Sequence, residues 1–126
     1  MVKYVNLKFD GKIVLNKVKY CDTFFSKVLG LMFSKKLKAD EGLLIVARRE
    51  GRESTMIHML NVFFPLNVFW LNNEFKVVDK QVAYPFELLL IPKNKAKYVL
   101  EVAKGVLDRV KIGSKFTIES KDLKDF

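Results

Sequence analysis

One cysteine, one histidine and one tryptophan occur in 126 residues, and each scarcity removes a class of chemistry. Cys21 alone makes no intrachain disulfide, and with His58 it falls short of the three or four N or S ligands a zinc site takes. Metal chemistry would have to rest on carboxylates, and the sequence holds no acidic cluster, so neither metal nor cofactor is expected. Long apolar runs are absent too. The longest, residues 62–71, is broken by Pro65 and Asn67 and stays well below the ~18 residues of a membrane span. No basic region and small-residue cleavage site frame an apolar stretch at the start. The expectation is a soluble, cytoplasmic protein with no membrane partner. Repeats, low-complexity tracts and linkers are lacking as well.

Arginine is scarce where lysine is not: four of the 23 basic residues are Arg, and 14 acids leave a formal charge of +9. That balance raises the prior on an anionic partner such as nucleic acid or a membrane surface. Base and phosphate readout favours the bidentate guanidinium, however, and the lysines are spread through turns and outward strand positions. A solubilising lysine coat is the preferred explanation.

What is present is core material. Half of the residues are hydrophobic and eleven are Phe, ample for one domain over residues 1–126. Residues 2–9 alternate, Asp10-Gly11 suits a tight turn, and residues 12–20 read as a second strand, so the chain is expected to open with a hairpin over 2–20. The period then changes. Asp22-Thr23 can cap a helix in which Phe24, Phe25, Val28, Leu29 and Met32 recur at three and four, with Gly30 as a stop or kink. Further strands are expected at 43–47, 55–60, 66–71, 75–82, 97–103 and 115–119, with a short edge strand at 88–91. A charged loop is expected at 48–54, one helical turn at 106–111 and a frayed tail at 121–126. Pro65 lacks a ladder donor and marks a bulge or corner. Eight or nine short strands with frequent turns point to a mainly β fold, an antiparallel sandwich or barrel of jelly-roll type with one or two short helices.

Three stretches in this order resemble a known family. Thr23 with Gly30-Leu31-Met32-Phe33 is similar to its T…GLMF box. Ile57-His58-Met59 and Phe64-Pro65-Leu66-Asn67-Val68 with Phe69 and Leu71 are similar to its central segment. Val99-Leu100-Glu101 with Gly105 and Gly113 is similar to its ending. The family is domain of unknown function 192, and the resemblance covers about residues 20–118. It implies a compact β sandwich or barrel with a short helix and carries no activity. Where the family usually has Asp, this chain has Asn67, Asn72 and Ser114, which hold hydrogen bonds but do not ionise.

The candidate site residues lie around the central segment. Asn61 and Asn67 stand where apolar residues are expected, and buried amides need partners. With His58 and Trp70 they edge a candidate pocket for a small molecule or protein partner. His58 by itself is read as a buried, hydrogen-bonded structural residue, and Trp70 as core. No catalytic residue is assigned. The alternative function is a hydrolase-type enzyme using His58 with Glu101, though Glu101 is expected to face outward beside Lys97. A second alternative is nonspecific nucleic-acid binding through lysine. Cys21, beside a possible helix start, is read as an inert thiol. Arg48, Arg49 and Arg52 alternate with Glu50 and Glu53 and read as a solvated hairpin tip.

Overall fold

The computed structural model describes residues 3–22 and 35–121. Strands β1 (Lys3–Phe9) and β2 (Lys12–Cys21) form the expected hairpin. Asp10 and Gly11 take φ of 52° and 74° at its tip, the left-handed pair that matches the twist of the flanking strands. Then follow β3 (Glu41–Gly51), a single 3-10 turn at Glu53–Thr55, β4 (Leu66–Leu71), β5 (Val77–Ala83), β6 (Ala96–Ala103) and β7 (Thr117–Ser120). They make one seven-stranded sheet in the order β5-β4-β6-β3-β2-β1-β7.

The sheet is mixed. Every pair is antiparallel except β2 with β3. A parallel step requires a crossover of a dozen or more residues, and residues 22–40 supply it. The sheet is not closed into a barrel by strand pairing, but it curls. The segment before β7 returns to the start of β5 through Val77 N to Ser114 O (2.8 Å), Gly113 N to Val77 O (2.8 Å) and Phe116 N to Phe75 O (3.0 Å). Both faces are therefore covered, giving a sandwich-like arrangement with two cores.

Period-two alternation sorts side chains between these cores. In β4, Leu66, Val68 and Trp70 enter a first cluster with Leu43, Ile57, Met59, Val62, Phe64 and Leu90. Phe69 and Leu71 enter a second cluster with Leu7, Leu15, Leu100 and Phe116. All six residues of β4 are buried, as expected of a strand covered on both sides. Pro65 lies at the corner before it, where no ladder donor is needed.

Several boundaries differ from the sequence expectation. Arg48–Gly51 continues β3 where a loop is expected, because Gly51 still pairs with Ala96 of β6. Residues 55–60 and 88–91 are not strands; one bridge, Ile57 with Leu90, is all the pairing they make. The helix expected over 24–32 and tail residues 122–126 lie outside the described residues. Lys121 itself is held, its ammonium 2.6 Å from the Asn16 carbonyl.

Gly42 marks the closest approach within the sheet. A Cβ there would meet Glu101 O and Leu15 Cδ1 at 3.2 Å and Val102 Cγ1 at 3.3 Å. The backbone oxygen has little room to yield. Gly42→Ala is expected to destabilise by about 1–2 kcal/mol, the range of mild overpacking, as a lower midpoint in urea. An unchanged midpoint would show that the strands part at no cost.

Candidate functional site

Asn67 sits in β4 between Leu66 and Val68 and points to the second core's side of the sheet, at its β5 end. Its amide donates to Val106 O at 2.9 Å and to Asp108 Oδ1 at 2.6 Å. Two acceptors on one nitrogen settle which end of the amide faces them. These bonds tie the turn after β6 down onto the sheet. Lys80, across from Phe69 on β5, clamps the same turn through Asp108 O (3.2 Å) and Val110 O (2.8 Å). Between turn and sheet lies a cleft of about 140 Å³, lined by Asn67, Phe69, Lys80, Gln81, Val82 and Asp108, with Val68 at its floor. No donor among the described residues reaches Asn67 Oδ1, so that oxygen and the second oxygen of Asp108 are acceptors left for a guest.

The remaining candidates are elsewhere. Trp70 is fully buried on the opposite face of β4, its indole N–H donating to Thr55 O at 2.8 Å. It is core, as read from the sequence, and it pins the 3-10 turn to the sheet; it does not share a pocket wall with Asn67. His58 is exposed, which corrects the buried reading. Its neighbours Ile57 and Met59 fill the first core, so alternation turns the ring outward, and Nδ1 accepts the Leu60 N–H at 3.2 Å. Asn61 is half-buried at φ 56°, a left-handed position in the turn after Leu60 that asparagine tolerates well. The four-residue pocket expected from the sequence is thus divided: Asn67 lines a cleft, Trp70 is packed, and His58 and Asn61 belong to a surface loop.

Glu101 also departs from expectation. It is 5% exposed, with Leu43 and Val68 as its strand partners. β6 lies in the middle of the sheet, so neither of its faces is an outer one. No hydrogen bond or ion pair among the described residues reaches the carboxylate, and burial pushes its pKa up to about 7. No hydrogen bond joins it to His58, which removes the direct acid–base pair between them.

Sequence reasoning missed three residues. Asp108 and Lys80 are exposed polar residues of ordinary type, and nothing local marks them. Asp79 carried a signal, an acid at an inward strand position. It is buried and accepts Lys80 N (2.8 Å), Gln81 Nε2 (3.0 Å) and Lys93 N (3.0 Å), anchoring the loop after Ile91. No group of three or more His, Cys, Asp or Glu among the described residues is arranged to hold a metal.

The family model for DUF192, described as an uncharacterized ACR, matches residues 5–119, so the match takes in the hairpin that the resemblance left out. A UPF0127 protein of Thermococcus sibiricus is 34% identical over 101 residues, 80% of this chain and 64% of that one. A UPF0127 protein of Pyrococcus horikoshii is 31% identical over 106 residues, 84% of each chain. Among solved structures, a protein of unknown function from Novosphingobium aromaticivorans superposes with a TM-score of 0.79 at 22% identity, covering 92% of this chain and 84% of that one. A Sinorhizobium meliloti protein described as a candidate transcription regulator gives 0.77 at 21%, covering 95% and 94%. At these identities the structures speak for the fold alone. The chain belongs to the uncharacterised DUF192 (UPF0127) family.

Proposed function

We propose that this protein is a binding module that takes a small polar molecule in the cleft between Asn67 and Asp108. The observation that carries the reading is the pair of acceptor oxygens facing that cleft while Lys80 is engaged with two backbone carbonyls. Phe69 and Val82 supply apolar wall, and a few placed polar groups in such a wall are the usual make-up of a ligand site. The volume limits the guest. A cavity near 150 Å³ accommodates a benzene-sized molecule, so a compact amine, amide or urea suits the space and brings the N–H donors the site lacks.

The test is an NMR titration with a panel of small amines, amides and ureas. Shift changes confined to Asn67, Lys80, Val82 and Asp108 are expected, and Val82→Trp, which fills the cleft from its exposed side, should abolish them. Perturbations centred elsewhere, or a Val82→Trp variant that responds like the parent, would reject the site.

A further inference from the structure

Exposed apolar side chains collect on one part of the surface. Met56, Leu60, Phe63, Val82, Tyr84, Phe86, Leu88 and Leu89 are all exposed, and all belong to residues 56–63 and 82–89. The two segments are fastened together. Ile57 and Leu90 exchange both backbone hydrogen bonds (3.0 and 2.9 Å), Met59 N donates to Glu87 O (2.7 Å), and Phe86 N donates to Met59 O (2.9 Å). Phe63 meets Phe86 edge to face at 5.3 Å. While Ile57, Met59 and Leu90 face the core, their neighbours present oily side chains outward from a braced backbone, and Leu88 is 72% exposed. Such a concentration on a folded surface marks an interaction site.

The charge around it identifies the partner. Leu37 packs on the same core cluster as Ile57, Met59 and Leu90, and the exposed Lys35, Lys36 and Lys38 flank it on that side of the sheet. Beyond Leu90, Arg52 is bound to the Pro92 carbonyl at 2.9 Å and Lys93 follows. Cations therefore stand on two sides of the apolar loops, in a chain whose net charge is +9. We infer that this paired-loop face docks on an anionic lipid bilayer, with Phe63, Phe86, Leu88 and Leu89 entering the acyl boundary and the lysines meeting headgroups. A second copy of the chain is disfavoured as occupant by the repulsion between like cationic rims. The described residues contain no helix long and apolar enough to cross a membrane, and surface docking requires none.

Co-sedimentation with vesicles tests this directly. The protein should pellet with vesicles of equal parts phosphatidylcholine and phosphatidylglycerol and stay in solution with phosphatidylcholine alone. Phe63→Ser combined with Leu88→Ser should weaken partitioning by at least about tenfold, since each substitution removes a large apolar group from the bound state. Its thermal midpoint should not change, because both side chains are exposed. Lys35→Glu with Lys36→Glu should weaken binding in low salt and matter less in high salt. No pelleting with the anionic vesicles at low salt overturns the proposal. So does parental binding by the Phe63/Leu88 variant, and so does a dimer in sedimentation velocity that the same variant dissociates.

Discussion

Replacing Glu101 with Met is expected to stabilise the protein by about 3 kcal/mol at pH 9 and by much less at pH 4. In the unfolded chain this carboxyl titrates near its ordinary 4.5; in the fold, burial raises it to about 7. Between those values the unfolded state releases a proton that the folded state keeps. The parent therefore loses stability as pH rises through this window, and a shift of this size corresponds to about 3 kcal/mol. Below the window the acid is neutral in both states, and above it the penalty stays constant. Met fills a similar volume and carries no charge, so the variant lacks the penalty. Urea unfolding of both proteins at pH 4, 7 and 9 measures the difference. Parallel pH profiles would mean that Glu101 ionises freely in the fold, and its isolation from partners would be wrong.

Asn67→Asp should cost about 2–3 kcal/mol at pH 8. The amide gives both its hydrogen bonds to acceptors, the Val106 carbonyl and the Asp108 carboxylate. A carboxylate in its place donates nothing and sets two negative oxygens at hydrogen-bond distance. The magnitude combines the lost donors with a repulsion partly screened at the exposed Asp108. As pH falls and the pair retains a proton, a donor returns, so the loss should shrink at pH 4. Adding Asp108→Asn exchanges donor and acceptor between the two positions and should restore most of the stability in urea. A double variant no better than the single one would show that the 67–108 contact does not hold the turn down. The experiment bears on relatives too: where the family usually has Asp at the position of Asn67, the facing turn must offer something other than a carboxylate.

The expectations that held are those resting on adjacent residues. Asp10-Gly11 forces its own turn, LNVFWL is apolar on both sides and so must be covered on both, and Pro65 excludes itself from a ladder. The boxes around Gly30, Pro65 and Glu101 were enough to place the chain in its family. The parallel pairing of β2 with β3 was less visible. Its only trace is the length of the 22–40 connection, too long for a hairpin.

For the site residues, alternation has a phase but no sign. His58 was grouped correctly with Met56 and Leu60, yet which side of that row meets water depends on Ile57 and Met59 having a sheet to pack against. Glu101 shows the converse: its spacing from Lys97 suggests an outer face, and only the position of β6 between β4 and β3 removes that face.

Strand periods, turn chemistry, charge and family membership were thus determined by the sequence itself, because each is a property of neighbouring residues. The pairing of Asn67 with Asp108, the burial of Glu101 and the bracing of the two apolar loops were decided by tertiary structure alone. Each joins groups from segments far apart in the chain, and a hydrogen bond or a desolvation penalty depends on distance in space.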